Sequence, residues 1–260
     1  LLELMHNLLN FDITPHNISK EEQFKLEMLH NTHIYAIKKR KRELRSPNQE
    51  EYKRWPFELI QNSVDCIPKD GEVIYNPDKN GIIEFDFKED RVIYTHYGSP
   101  FTNRDLISLL YQYGGMKDEN PSKIGRFGTG FLSTLILTYV VHVSGDFYSE
   151  EDGKLSGFEV TINRQGNTNA ELNNRIKEMD KTKKMNLPTK GETKFIFELP
   201  PNLNDNDISL KAYNEGFNSL IENVPHVLIF NPSIKSIIIT KGKEKISFNR
   251  ANPRCQIETI

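Results

Sequence analysis

The chain has 260 residues, of which 37% are hydrophobic and 27% are charged, and its formal net charge is -2. This length allows one large domain or two small ones with a substantial core. The charge balance gives no global attraction to nucleic acid, no apolar run reaches the roughly 20 residues of a membrane helix, and no signal peptide is visible. Cys66 and Cys255 have neither disulfide nor zinc spacing, so we expect a cytoplasmic location.

A long helix is predicted over residues 18–46. Ser19 can cap it, because Glu22 follows at capping-box spacing and apolar residues then recur at helical intervals. His33 is interpreted as a helix-surface residue. The helix ends in a basic run, residues 38–45, which has two open interpretations: a nucleic-acid contact, or a solvated helix end stabilised by the helix dipole, which we favour.

Helices and strands alternate along the rest of the chain. A second helix is predicted to start at RWPFELIQNSVDCI, with Pro56 in its first turn. A hairpin is predicted next, since 82–87 and 91–96 alternate between apolar and polar residues. The polar stretch 166–190 is a short helix or a disordered loop. The remaining predictions are a helix over 102–114, a buried helix at FLSTLILTY, strands at VVHVSG, 157–164, 193–199, 233–240 and 245–248, and an amphipathic helix over 207–224.

This mixture of hairpins and helices predicts an α+β fold. We expect a two-layer α/β sandwich, in which helices cover one face of a mixed, mostly antiparallel sheet. The expected parts are an N-terminal helical extension (1–50), a central domain (51–200), and a C-terminal helix with strands that completes or extends it (201–260). The chain begins at Leu1 and has no obvious stopping signal at Ile260, so we expect it to be a piece of a longer protein.

The segment ELIQNSVD places three polar residues on one face of the second predicted helix. Glu58 and Asn62 are four residues apart, and Asp65 lies three beyond Asn62. An asparagine oxygen can ligate Mg²⁺, which prefers oxygen ligands, and a glutamate can act as a general base on water. The alternative interpretation is a solvated polar face.

The segment KIGRFGTGFLS (123–133) contains Gly125, Gly128 and Gly130. It is not a P-loop, because Phe131 and Leu132 stand where Lys and Ser or Thr are needed. It is not a dinucleotide fingerprint either, because a polar loop precedes it instead of a strand. Glycines allow close backbone approach, and the helix that follows offers N–H groups to a phosphate.

In this order, WPFELIQNSVD, IGRFGTGFLS and GETKFIFEL resemble motifs of the GHKL ATPase superfamily, whose ATP-binding domain has the Bergerat fold. The resemblance covers roughly residues 52–199. The glycine segment is most similar to the heat-shock protein 90 version, and the flanks are most similar to the sacsin-type branch. Family members include gyrase B, heat-shock protein 90, histidine kinases and MutL.

The resemblance implies roles for individual residues. Glu58 matches the general base, Asn62 the Mg²⁺ ligand, and Asp65 a polar residue near the nucleotide. Residues 103–127 match a mobile lid, and Thr193 matches a residue that supports adenine binding. Other positions implied to contact the nucleotide are Gly98, Phe101, Lys123, Gly125, Arg126, Phe127, Gly128, Thr129, Gly130 and Phe131.

The chain departs from the family at the second motif, Asp-x-Gly-x-Gly, where it reads HYGSPFT. His96 holds the aspartate position and Pro100 the second glycine. A neutral imidazole can still accept a hydrogen bond from the adenine amino group, but a protonated one cannot, so nucleotide affinity is expected to fall at mildly acidic pH. The alternative interpretation is that His96 packs at the end of its strand.

The resemblance therefore implies an ATP-binding, Mg²⁺-dependent ATPase module of a larger protein, in which lid closure or dimerisation drives chaperone-like remodelling or signalling. The expected partners are ATP or ADP, further domains of the same polypeptide and a second copy of the chain. In the family a Lys or Arg from the following domain often contacts the terminal phosphate, so a fragment would turn over slowly. The alternatives are a hydrolysis-deficient nucleotide sensor or scaffold, and a DNA-associated ATPase of MutL or gyrase type. Nucleic acid is not favoured, because basic residues cluster only at 38–45.

Overall fold

The computed structural model describes residues 20–68, 73–111 and 129–250. Eight strands form one sheet. The strands are β1 Ile82–Phe87, β2 Arg91–His96, β3 Val140–Ser149, β4 Lys154–Asn163, β5 Lys184–Leu187, β6 Thr193–Glu198, β7 Ser236–Lys241 and β8 Glu244–Asn249. The helices are α1 Lys20–Glu43, α2 Gln49–Cys66, α3 Asn103–Tyr111, α4 Asn169–Thr182 and α5 Ile208–Phe230, with a 3₁₀ helix at Thr129–Ile136.

The strand order is β5-β4-β3-β6-β2-β1-β7-β8. Every neighbouring pair is antiparallel except β1 and β7, which run parallel. The predicted mixed, mostly antiparallel sheet of an α+β fold is therefore confirmed. The predicted domain boundaries near residues 50 and 200 stay a prediction, although β7 and β8 belong to the same sheet as the strands of the central part.

One face of the sheet carries the core. Phe85 pairs with Tyr94, Tyr94 with Phe195, and Phe195 with Val143, so a row of buried side chains crosses β1, β2, β6 and β3. Residues on the opposite face of β1 are only half-buried. Rings from this row and its neighbour contact Trp55 of α2, which shows that helices cover this face.

Trp55 joins α2 to both the sheet and α5. Its indole is completely buried, and its Nε1 donates to the carbonyl of Ala212 at 2.9 Å. A Cβ at Gly216 would overlap the indole ring, so the glycine permits the close approach of α5. Burial of an indole removes a large apolar area from water, and this contact fixes the position of α2 over the sheet.

The predicted start of α2 was wrong. The helix begins at Gln49, and Pro56 lies in its interior rather than in its first turn. The physical reason is a capping box: the side chain of Asn48 accepts from the N–H of Glu51, and Glu51 accepts from the N–H of Asn48. A signal at the cap thus outweighed the interior proline in setting the helix start.

The buried helix predicted after the glycines is a 3₁₀ helix rather than an α-helix. The hydroxyl of Thr134 donates to the carbonyl of Phe131, three residues earlier, at 2.8 Å. Such a local bond competes with the α-helical pattern and favours the tighter turn.

Other boundaries differ less. The stretch 166–190 contains α4 and β5, so it is not a disordered loop, and α5 runs on to Phe230 through Pro225. The prediction for 102–114 is confirmed over α3, while its end lies outside the described residues. No helix within the described ranges is long and apolar enough to cross a membrane.

Candidate active site

Helix α2 carries Glu58, Asn62 and Asp65, and it packs against the 3₁₀ helix. Asn62 is buried and Asp65 half-buried, while the side chain of Glu58 is 19% exposed. One oxygen of Glu58, Oε1, accepts from Nε of Arg54 at 2.6 Å, one turn earlier on the helix. This face of α2 is therefore packed against another element near Asn62 and open at its rim near Glu58.

The second carboxylate oxygen of Glu58 points at the start of the 3₁₀ helix. A Cβ at Gly130 would overlap Oε2 of Glu58, so only glycine permits this approach. The first N–H groups of a helix lack partners within it. In this chain the start of the 3₁₀ helix, where those groups are, lies beside the Glu58 carboxylate. The remaining predicted phosphate-contact residues, Lys123, Gly125, Arg126, Phe127 and Gly128, lie outside the described residues, and Thr129 begins the 3₁₀ helix.

The carboxamide of Asn62 is a buried donor. Its Nδ2 has no hydrogen-bond partner among the described residues, and the same holds for the buried hydroxyl of Ser133 in the 3₁₀ helix. Leaving a buried polar group unsatisfied costs about 1–3 kcal/mol, so such groups call for an explanation. A ligand rich in oxygen acceptors would satisfy the Asn62 donor.

The position of α2 is also fixed by polar contacts beneath it. Tyr94 of β2 donates to the carbonyl of Leu59 at 2.9 Å, and its hydroxyl is hydrogen-bonded to Ser63. Burial raises the pKa of Tyr94, so the phenol stays neutral and acts as a donor. These bonds set the rotation of the helix that carries Glu58 and Asn62.

His96 and Thr193 lie directly opposite each other in the register of β2 and β6. Both are buried, and the imidazole of His96 stacks on Phe195 with ring centroids 6.4 Å apart. A Cβ at Gly145 of β3 would lie 3.2 Å from Oγ1 of Thr193, so a glycine leaves room for that hydroxyl. This end of the buried face is polar, and both the packing role and the base-contacting role of His96 stay predictions.

The segment after β2 meets the end of α2. The N–H of Ser99 donates to the carbonyl of Cys66 at 2.7 Å, and a Cβ at Gly98 would lie 2.6 Å from that oxygen. Gly98 is therefore required by close backbone approach. The contact brings the HYGSPFT segment to the end of α2, next to Asp65.

Phe101 belongs to the core. It forms an isolated bridge with Phe147, and its ring packs edge-on against Phe158 at 5.2 Å. Its N–H donates to the carbonyl of Asp146 at 2.8 Å. The structure therefore gives Phe101 an anchoring position just before α3.

Asp146 is a structural residue of the site that the sequence analysis missed. Its carboxylate accepts from the N–H groups of Lys190 and Gly191, each at 2.8 Å, and thereby holds the turn that leads to Thr193. Gly145, the last residue of the predicted strand VVHVSG, was the available signal, because glycine within a strand often marks a close approach.

A second polar cluster lies against the next residue of the 3₁₀ helix. The guanidinium of Arg164, directly after β4, lies 5.4 Å from the centroid of the Phe131 ring. It is 2% exposed and has no hydrogen-bond partner among the described residues, and burial lowers its pKa to about 9. His33 is buried too, so its predicted surface position was wrong: its ring packs edge-on against Tyr111 of α3, with ring centroids 6.4 Å apart. Burial, followed by the charge of Arg164, lowers the pKa of His33 well below its usual value.

No family model matches the sequence, and no curated protein matches it significantly. Among solved structures, the chain is similar to the Aquifex aeolicus MutL ATPase domain complexed with ADP, with 13% identity and a TM-score of 0.39. The match covers 75% of this chain and 62% of that one, so it spans less than two thirds of the MutL domain. At this identity and TM-score, roles of residues have to come from the geometry of the chain itself.

Proposed function

We propose that the chain is an ATP-binding, Mg²⁺-dependent ATPase module of GHKL type. The observation that carries this proposal is the seating of the Glu58 carboxylate against Gly130, with the Asn62 carboxamide buried one turn further along α2. A carboxylate, a carboxamide and a helix N-terminus together offer the contacts that a metal-bound phosphate group needs.

In this proposal Asn62 would hold Mg²⁺ through Oδ1. Magnesium keeps several waters and takes few protein ligands besides phosphate oxygens, so one buried carboxamide fits it. The unpartnered Nδ2 of Asn62 supports a ligand in the same space, because it needs an acceptor. When bound, the ion would neutralise charge that develops on the phosphates.

Glu58 would act as the general base. Its Oε2 faces the start of the 3₁₀ helix, where the terminal phosphate would lie, so it could take a proton from an attacking water there. Arg54 holds the other oxygen and orients the carboxylate.

The adenine ring of the nucleotide would lie near His96 and Thr193, with Asp65 and Gly98 beside it. Lys123, Arg126 and the glycines Gly125 and Gly128 would contact the phosphates, together with Thr129. Residues 103–127 would form the lid, with Phe101 as the anchor at its start. We also propose that the module acts in remodelling of the sacsin-like or heat-shock protein 90-like kind. It would work with further domains of the same polypeptide and form a nucleotide-dependent homodimer.

The test is ATP binding by calorimetry and ATP hydrolysis by phosphate release, measured on the full-length protein. Glu58→Gln is expected to lower turnover by about 100-fold or more while ATP still binds, because general bases contribute 10²–10⁴-fold. Asn62→Ala is expected to lose the Mg²⁺-dependent part of binding. Glu89→Gln, at an exposed glutamate in the β1–β2 turn, is the matched control and should change neither quantity.

The ion pair between Arg54 and Glu58 favours one other function, a nucleotide sensor that does not hydrolyse ATP, because the carboxylate is engaged by a cation. That function predicts ATP binding with no turnover above background in either the parent or Glu58→Gln. Absence of any nucleotide binding would overturn both functions.

A further inference from the structure

A cavity lies between α1 and the connection from β4 to α4. Its volume is about 680 Å³, and it is lined by residues of α1 from Asn31 onward, by Arg45 just after α1, and by Asn167 and Asn169. Cavities of about 300–1,000 Å³ are typical of small-molecule sites. We call this cavity the basic groove. Neither α2 nor the 3₁₀ helix contributes to its lining, so it is separate from the candidate active site at Glu58 and Asn62.

Four cationic side chains line the basic groove, and no Asp or Glu is among its described lining residues. These cations are Lys38, Lys41, Arg42 and Arg45. They belong to the basic run 38–45, for which the sequence favoured a solvated helix end over a nucleic-acid contact. On a chain with a net charge of -2, this is a strong local excess of positive charge.

The remaining arginine in the middle of that run shows the contrast. Arg40 is neutralised by Glu51 at 2.5 Å and by Glu43 at 3.2 Å. Arg42 and Arg45, by comparison, make no ion pair with any residue in the described ranges. The fold therefore divides the run into a neutralised face and a face whose charges are left to an outside ligand.

The two lysines of the basic groove bond only to neutral groups. Nζ of Lys38 donates to Oδ1 of Asn169 at 2.8 Å, and Nζ of Lys41 donates to the carbonyl of Gly166 at 2.6 Å. Lys41 also lies 4.4 Å from the centroid of the Tyr139 ring. Burial lowers the pKa of Lys41, partly opposed by Glu171, so an anion at this position would restore stabilisation to its charge.

The chemistry of these groups selects a class of ligand. Four cations around one small cavity call for several negative charges in a compact molecule. A phosphate group carries about −1.5 to −2 charges near neutral pH, against one for a carboxylate, and arginine forks bind phosphate bidentately. Asn31 and Asn167, whose side chains carry amide groups, also line the groove. We propose that the basic groove binds a small anion with two or more linked phosphate groups.

The experiment titrates inorganic tripolyphosphate into the full-length protein by calorimetry at 50 mM salt. Arg42→Gln/Arg45→Gln is expected to weaken binding by at least about tenfold, since it removes half of the cations and their forks. Lys243→Gln/Lys245→Gln, on exposed residues of the β7–β8 hairpin, removes the same charge and should change affinity less than about twofold. Arg42 and Arg45 are exposed, so circular dichroism should show an unchanged fold.

Asn62→Ala separates this proposal from the proposed ATPase. Binding of tripolyphosphate that survives Asn62→Ala but is weakened by Arg42→Gln/Arg45→Gln belongs to the basic groove, whether or not the chain hydrolyses ATP. The proposal is overturned if tripolyphosphate does not bind, or if both double variants lose affinity equally. It is also overturned if Asn62→Ala alone abolishes binding, or if a 20-nucleotide single strand binds while tripolyphosphate does not.

Discussion

Two consecutive residues of the 3₁₀ helix, Gly130 and Phe131, face two very different polar environments. Beside Gly130, Glu58 is 19% exposed and shares its ion pair with an arginine that is 66% exposed. Beside Phe131, the guanidinium of Arg164 is sealed from solvent with no hydrogen-bond partner among the described residues. A charged group at a rim can exchange partners with a ligand, whereas a sealed charge is a cost that packing has to offset.

The largest expected effect is on ATP turnover, from a change at Gly130 beside the partly exposed Glu58. Gly130→Ala would place a methyl group against the Glu58 carboxylate and displace it, and a misplacement of about 1 Å can cost about 100-fold in rate. We expect a loss of this order in ATP turnover, measured by phosphate release. In a Glu58→Gln background the same change should cause no further loss. An alanine variant with the parent's turnover would show that the close approach has no catalytic role.

The second prediction concerns the buried charge of Arg164 beside Phe131. Arg164→Met removes a buried charge without removing the apolar stem, and we expect the free energy of unfolding to rise by about 1–3 kcal/mol. Urea denaturation at pH 7.5 measures it. Arg175→Met, at a partly exposed arginine of α4, should change stability by less than about 0.5 kcal/mol. A lower stability for Arg164→Met would mean that its contact with Phe131 outweighs the desolvation of its charge.

His33 makes the sealed side sensitive to pH. Its folded-state pKa lies well below the unfolded value near 6.5, so below pH 6.5 the unfolded chain binds a proton that the folded chain does not. The free energy of unfolding should therefore decrease as pH falls from 7.5 to 5.5, by up to about 1.4 kcal/mol per pH unit below 6.5. His30, with its pKa also lowered by burial, acts in the same direction.

Urea denaturation at several pH values tests this dependence. His33→Leu should flatten the curve, while His226→Leu, at an exposed histidine of α5, should leave it as steep as in the parent. An equally steep curve for His33→Leu would mean that other groups cause the acid destabilisation.

The smallest expected effect is on stability, from loss of the ion pair between Arg54 and Glu58. Arg54→Ala removes the ion pair with Glu58, and exposed pairs contribute at most about 1 kcal/mol, so stability should change by less than that. Thermal unfolding in low and high salt measures it, and salt should shrink the difference further. A loss of several kcal/mol would contradict the view of the rim as loosely held.

Local patterns predicted a good part of the fold. The hairpin strands 82–87 and 91–96 were predicted with the bounds that β1 and β2 have, because alternation of apolar and polar residues follows directly from strand geometry. The shared helix face of Glu58 and Asn62 followed from their spacing in the same way. The start of α2 was predicted too late, because the prediction relied on Pro56 and the apolar pattern around it. The cap at Asn48, where the helix begins, lies before that pattern.

The class of fold and the helix face that carries the candidate site follow from local sequence patterns, since both depend on periodicity between near neighbours. The tertiary structure alone decided that Glu58 meets Gly130, that Arg164 and His33 are buried, and that the basic run of α1 has a neutralised and an open face. Each of these depends on which distant segments pack against a residue. Burial and partner charge are properties of that packing, and no local pattern contains them.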